Sequence, residues 1–207
     1  MNLPNKLSLL RMILVPIFMV VLALPEAIMP LSLSAVIGTA IFIIASITDC
    51  LDGKIARKYN LITDFGKLID PLADKFMVIG ALIMILYRAD SHRALFVIAL
   101  TVVVFRELAV TAMRLITASK SGVAVPANML GKIKTVSQIV FVIAALIEPM
   151  FYPATGAVIA QEVSKTFSAQ LAQILPLTLL SGAVMTVFTV WSGINYVVAL
   201  WKYIETK

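Results

Sequence analysis

The apolar positions of this chain fall in six long runs separated by short polar interruptions. Each run is close to the ~20 residues that an α-helix needs to cross the hydrocarbon core of a bilayer. The first extends over Leu7–Leu24, interrupted by Pro16, and the second over Ser32–Ala56, with Gly38 and Ala40 small enough for close helix approach. The third, fourth and fifth cover Ile69–Tyr87, Ala94–Thr117 and Thr135–Tyr152. The sixth, Leu171–Trp201, is longer than one crossing needs, which predicts a tilt or a kink near Pro176 or Gly182. Ahead of the first run, Met1–Lys6 is short and polar, and Asn5 after Pro4 is a candidate helix N-cap. The pattern predicts an all-α integral membrane protein with six transmembrane helices plus a short N-terminal interfacial segment. It reads as one domain over residues 1–207, with no internal repeat.

Composition sharpens this. The chain is 61% hydrophobic and only 14% charged, where a soluble domain is about half apolar and about a quarter charged. A net charge of +6 would suit nucleic acid if the cations formed one soluble stripe, but they sit at run ends and loops. That excludes a nucleic-acid partner and fits anionic membrane lipids instead. Lys54, Arg57, Lys58, Lys67, Lys120, Lys132, Lys134 and both termini fall on one side; Arg88, Arg93 and Lys165 fall on the other. The positive-inside rule then puts the termini in the cytoplasm of what reads as a bacterial inner or cell membrane. The first run has no small-residue cleavage site after it and reads as a retained helix. The single cysteine, Cys50, allows no intrachain disulfide and reads as small apolar filler. With only His92 beside it, a zinc site has no support, and His92 reads as an interfacial turn residue.

The chemistry concentrates in Thr48–Lys75. Asp49 and Asp52 are spaced i, i+3, and Asp70 and Asp74 are spaced i, i+4, so each pair shares a helical face. Caps do not explain the first pair, which sits at a helix C-terminus where the macrodipole disfavours anions. Four carboxylates at the mouths of two apolar helices repel unless something positive holds them. Two divalent cations are the simplest candidate, and all-oxygen ligation favours Mg2+, with Mn2+ also suited. Such a pair stabilises the attacking and leaving oxygens of a phosphoryl displacement. Gly53 and Ala56 leave room for a ligand, and Arg57 can grip a diphosphate with a bidentate fork.

These residues carry a resemblance. Asp49-x-x-Asp52-Gly53-x-x-Ala56-Arg57, eight residues, then Gly66-x-x-x-Asp70-x-x-x-Asp74 is similar in every fixed position to the signature of the CDP-alcohol phosphotransferases. The resemblance implies metal-dependent transfer of a phosphatidyl group from CDP-diacylglycerol to an alcohol, with CMP released, and a homodimeric assembly. It implies metal ligation by Asp49, Asp52, Asp70 and Asp74, with Asp74 also the catalytic proton acceptor. It further implies CDP-diacylglycerol contacts at Asn5, Gly53, Ala56, Arg57, Thr63 and Gly66, the last freeing the backbone at the turn into the third helix.

Arg106, Arg114, Lys132, Lys134 and Gln138 form a candidate pocket for a phosphate on the acceptor. An arginine as deep in a span as Arg106 faces a cavity or a partner. The competing use is an ion pair with Glu107 or Glu148, although helix neighbours point about 100° apart, which predicts poor Arg106–Glu107 pairing. A phosphorylated acceptor favours glycerol 3-phosphate or inositol phosphate over serine, choline or ethanolamine. The segments NLPNKLSLLR, RELAVTAMR and GKIKTVSQ resemble the branch that uses glycerol 3-phosphate. The aromatic residues Trp191, Tyr196, Trp201 and Tyr203 read as interfacial or packing residues. A divalent-cation carrier is the reading from another class, but its acids belong near the bilayer midplane rather than at one surface.

Overall fold

The structure, a computed structural model, describes residues 2–59, 63–89, 93–121, 129–151 and 176–205. Among these residues it contains six α-helices: α1 (Leu3–Ala23), α2 (Leu31–Lys58), α3 (Asp64–Arg88), α4 (Arg93–Ser121), α5 (Met129–Phe151) and α6 (Pro176–Glu205). Every apolar run has become one helix.

The ends differ from expectation in ways the backbone explains. α1 starts at Leu3 with Asn2 as its N-cap, so residues 3–6 of the expected interfacial segment belong to the first helix and Asn5 lies inside it rather than capping it. Pro4 fits the first turn, where a missing N–H breaks no helical bond. Pro16 lies inside α1, which runs on past it to Ala23. Gly131–Lys134, which precede the fifth apolar run, belong to the first turns of α5. Pro176 starts α6 rather than kinking it, and the helix passes through Gly182 unbroken. Cys50 is exposed on the outer face of α2 rather than packed as filler. Ala40 also faces outward, while Gly38 does make the expected close approach. His92 and the polar segment 156–170 lie outside the described residues.

Five helices are long and apolar enough to cross a membrane: α1, α2 over Leu31–Gly53, α4 over Arg93–Thr117, α5, and α6 over Leu177–Trp201. The exception is α3, whose first half carries Asp70, Asp74 and Lys75. It packs against α1, α2, α4 and α5. Ala73, Met77, Val78, Ala81 and Leu82 are all buried along it. Its charges therefore face protein rather than lipid.

The distribution of polarity is that of a membrane protein. Ile13, Ile44, Phe105, Leu115, Val136 and Val187 are among the many large apolar side chains on the outer surface. Ser8, Arg11, Thr39, Asp52, Arg106, Gln138 and Ser192 are buried. Water would favour the reverse arrangement, whereas lipid places polar side chains in the bundle interior.

Packing is close where α1 meets α2 and α3. A Cβ at Gly38 would come within 2.8 Å of Leu22, and one at Gly80 within 3.2 Å of Val15. These glycines let α2 and α3 close on α1 around a core that includes Phe18, Phe42, Met77 and Phe141. At one end, Arg88 of α3 donates to Leu31 O (3.1 Å) and Ser34 Oγ (3.0 Å) of α2. At that end too, Glu148 of α5 accepts from the Leu177 and Thr178 amides at 2.8 and 2.6 Å. Those amides open α6 and have no partner within their own helix, so Glu148 caps it from a neighbour. The helices alternate in direction, which brings the starts of α1, α3 and α5 and the ends of α2, α4 and α6 together at the other end.

Candidate active site

The acidic half of that end is built from α1, α2 and α3. Asp49 and Asp52 lie in the last three turns of α2, and Asp70 and Asp74 lie in the first three turns of α3. Sequence reasoning missed what stands between them. Arg11 of α1, with none of its surface exposed, is ion-paired through its two terminal nitrogens to Asp49 and Asp52. Ser8, one turn earlier, is hydrogen-bonded to Asp70 and lies 3.4 Å from Asp52 Oδ2. The carboxylates are thus interleaved with a guanidinium and a hydroxyl. Among the described residues, no three acidic, histidine or cysteine side chains converge on a single ion-sized point. Asp74 stands apart: its Oδ1 is buried and has no hydrogen-bond partner.

A signal for Ser8 and Arg11 existed in the sequence. The buried positions of α1 include Pro4, Ser8, Arg11, Val15, Phe18 and Leu22, which is the 3–4 spacing of one helical stripe. The stripe is apolar for three turns and polar at its start, and that change marks where α1 reaches the aspartates.

Beside the acidic cluster, Asn5 and Thr63 exchange hydrogen bonds at 2.9 and 3.0 Å, tying the start of α1 to the start of α3. Thr63 is the N-cap of α3 and accepts from the Gly66 amide at 3.0 Å. Gly66 was expected to free the backbone at a turn, but it lies inside the helix. Its role is space: a Cβ there would come within 2.9 Å of Asn5 Oδ1 and 3.2 Å of Thr63 Oγ1. Gly53 follows Asp52 and is half-buried. Ala56 and Arg57 occupy the last turn of α2, with side chains outside those described.

The basic half is built from α4, α5 and α6. Arg106 Nη1 contacts Glu107 Oε1 at 3.1 Å, and Lys134 pairs with the same oxygen. The expectation that Arg106 and Glu107 pair poorly is therefore wrong. Their Cα–Cβ bonds diverge, but both side chains are long enough to fold back toward one point. Glu148 is at the opposite end and takes no part. Arg106 Nη2 donates to Ser192 Oγ at 2.6 Å, and Arg114 donates to the Tyr196 hydroxyl. Lys132 is exposed and does not join the group, because positions two apart on a helix face opposite ways. Two cations, Arg106 and Lys134, share one carboxylate, while Arg114 is held by Tyr196. The Nε atoms of both arginines and both amide atoms of Gln138 are buried without partners among the described residues. Each such group left bare costs about 1–3 kcal/mol, which makes these atoms candidate contacts for a polar ligand.

The two halves adjoin. Asp74 lies within electrostatic range of Asp49 and Arg11 on one side and of Lys134 and Glu107 on the other. Fold and site together define an all-helical membrane protein with an acidic cluster facing a basic pocket at one end of its bundle.

Comparison with known proteins identifies that arrangement. The chain belongs to the CDP-alcohol phosphatidyltransferase family, which it matches over residues 1–201, and is therefore of an enzyme family rather than a cation carrier. It is 40% identical over 215 aligned residues to the CDP-diacylglycerol–glycerol-3-phosphate 3-phosphatidyltransferase of Bacillus subtilis (strain 168), covering 100% of this chain and 98% of that protein. Proteins of the same name from Rickettsia felis and Salmonella typhimurium are each 39% identical, over 137 and 142 residues. Those matches cover 66% and 67% of this chain, and 70% and 73% of the two relatives.

Proposed function

We propose that this chain transfers the phosphatidyl group of CDP-diacylglycerol to glycerol 3-phosphate, releasing CMP and forming phosphatidylglycerophosphate. The observation that carries this reading is the basic pocket with unpartnered N–H donors next to Asp74. Choline and ethanolamine bring no anionic group to Arg106, Arg114 and Lys134, and serine brings a single carboxylate beside its own ammonium, whereas a phosphate monoester brings up to two negative charges and three acceptor oxygens. The names of the full-length and partial relatives support the same acceptor.

The residues fit divalent cations. Asp49 and Asp52 are already gathered around the positive charge of Arg11, Asp70 is tied to the same group through Ser8, and the bare Oδ1 of Asp74 is a further oxygen donor. All are hard oxygen ligands, which suits Mg2+ and allows Mn2+. Bound there by these four aspartates, a pair of such ions would supply charge neutralisation for the diphosphate and for the leaving CMP.

The remaining work falls to the chain. Asn5, Thr63 and Gly66 form a small polar recess for the nucleotide, and Gly53, Ala56 and Arg57 belong to the same proposed set of CDP-binding residues. Arg106, Arg114, Lys134 and Gln138 hold the phosphate of the acceptor, so that its primary hydroxyl, at the far end of the molecule, reaches toward Asp74. Asp74 Oδ1 takes the hydroxyl proton as the new O–P bond forms to the phosphatidyl phosphorus and the bond to CMP breaks. Holding both substrates in one geometry is itself a large part of the rate gain.

The lysine and arginine excess at this end of the chain supports a cytoplasmic active site and cytoplasmic termini in a bacterial cell membrane. A homodimer belongs to the same proposal, and exposed apolar side chains such as Ile44, Ile47 and Phe105 leave a lipid-facing surface for it. The test is CMP release by purified protein with CDP-diacylglycerol, Mg2+ and a panel of alcohols. Glycerol 3-phosphate should be the preferred acceptor; equal or better use of glycerol or serine would overturn the assignment.

A further inference from the structure

The end of α6 read from sequence as packing, yet three of its residues touch the arginines of α4. Ser192 and Tyr196 are one turn apart on the same helical face, and both are buried. Ser192 Oγ accepts from Arg106 Nη2 at 2.6 Å. The Tyr196 ring centre lies 4.6 Å from the Arg114 guanidinium carbon and 5.6 Å from that of Arg106. Its hydroxyl also accepts from Arg114. Between them, Gly193 leaves a gap for the stem of Arg106, since a Cβ there would sit 3.2 Å from Arg106 Cγ.

One aromatic ring thus serves two guanidiniums. The two cations repel each other, and each has a long side chain with many rotamers. The negative ring face attracts both, and the Ser192 and Tyr196 oxygens each fix one terminal nitrogen. This leaves the Nε edges of both arginines without partners. Packing alone needs a side chain of the right volume at 192 and 196. It does not need two hydrogen-bond acceptors facing two arginines.

We propose that Tyr196 and Ser192 are positioning residues that aim Arg114 and Arg106 at the acceptor's phosphate and so set the preference for a phosphorylated over an unphosphorylated alcohol. The inference rests on the proposed phosphate-bearing acceptor. It adds that selectivity is decided by α6, which carries none of the motif residues.

The test is steady-state kinetics of the full-length protein in detergent or nanodiscs, with Tyr196→Phe, Tyr196→Leu and Ser192→Ala. Tyr196→Phe keeps the ring and loses the hydroxyl, while Tyr196→Leu loses both. The KM for glycerol 3-phosphate should rise about 3–10-fold in Tyr196→Phe and Ser192→Ala, a fold-change of about 0.7–1.4 kcal/mol, the net worth of one typical hydrogen bond. In Tyr196→Leu the rise should exceed about 10-fold, because the cation–π contacts are lost as well. The KM for CDP-diacylglycerol and the Tm of Tyr196→Phe and Ser192→Ala should stay at wild-type values, and the preference over glycerol should fall in step with the rise in KM. An unchanged KM for glycerol 3-phosphate in both mild variants would overturn the inference. So would equal changes in both KM values with a lowered Tm, which would mark a packing role. Wild-type protein that does not prefer glycerol 3-phosphate to glycerol would instead overturn the proposed acceptor itself.

Discussion

Arg11 of α1 and Asp52 of α2 form a buried ion pair 41 positions apart in sequence, and the same guanidinium also holds Asp49. Without it, two carboxylates within three residues of each other would face protein interior with nothing positive between them. Removing one partner of a buried pair costs about 3–5 kcal/mol, because the charge left behind is uncompensated. Arg11→Leu should therefore lower the Tm of the protein in chelator by several degrees. Added Mg2+ should raise the Tm of this variant more than that of wild type, since a divalent ion can restore the lost charge. A thermal-shift series with and without Mg2+ checks both, and equal shifts in the two proteins would count against cation binding at these aspartates.

Asp74→Asn keeps the size of the side chain and removes its ability to take a proton. Turnover should fall by about 10²-fold or more, the usual scale of a lost general base. Binding of CDP-diacylglycerol should persist, measured by titration of the lipid nucleotide onto the purified variant. Retained turnover would leave Asp74 with no role as proton acceptor.

Gly66→Ala separates stability from function. In a helix, alanine is favoured over glycine by about 1 kcal/mol, which offsets much of the cost of losing the Asn5–Thr63 bonds, so Tm should change little. The new Cβ would displace Asn5, which stands 2.9 Å from that point and is bonded to Thr63. The KM for CDP-diacylglycerol should rise several-fold, and Asn5→Ala should do the same without adding to it. Fully additive effects would mean that the two residues do not act on one recess.

Glu148→Ala should act on stability alone. It strips the cap from α6 and leaves the Leu177 and Thr178 amides bare, at a cost of about 1–3 kcal/mol. Tm should drop, while kcat and both KM values of the folded fraction stay at wild-type levels, because Glu148 is at the far end of the bundle.

Much of this protein is readable in one dimension, because lipid imposes simple rules. An apolar run of spanning length has only a helix open to it, since every backbone polar group must be satisfied within the segment. The six helices follow from that, as do Asp49, Asp52, Asp70 and Asp74, whose i, i+3 and i, i+4 spacing defines shared faces without any tertiary information. The spacing of the motif from Asp49 to Asp74 carries the family on its own. Helix ends were less legible, since a helix continues past its apolar run for as long as no residue stops it, as α5 does by starting at Met129.

What only the folded chain decided is which faces meet. Arg11 looks in sequence like a basic residue flanking a span, and its place among the aspartates exists only because Gly38 and Gly80 let α2 and α3 close on α1. Gly66 looks like a turn residue until Asn5 arrives from a different helix. Arg106 and Glu107 look divergent until Lys134 and Ser192, from two further helices, fix where their ends lie. Tyr196 looks like an interfacial aromatic, and its two arginines come from a helix more than eighty residues earlier. Local spacing sets the face on which a side chain stands; the partner of that face is set by packing among helices distant in sequence, which no local pattern contains.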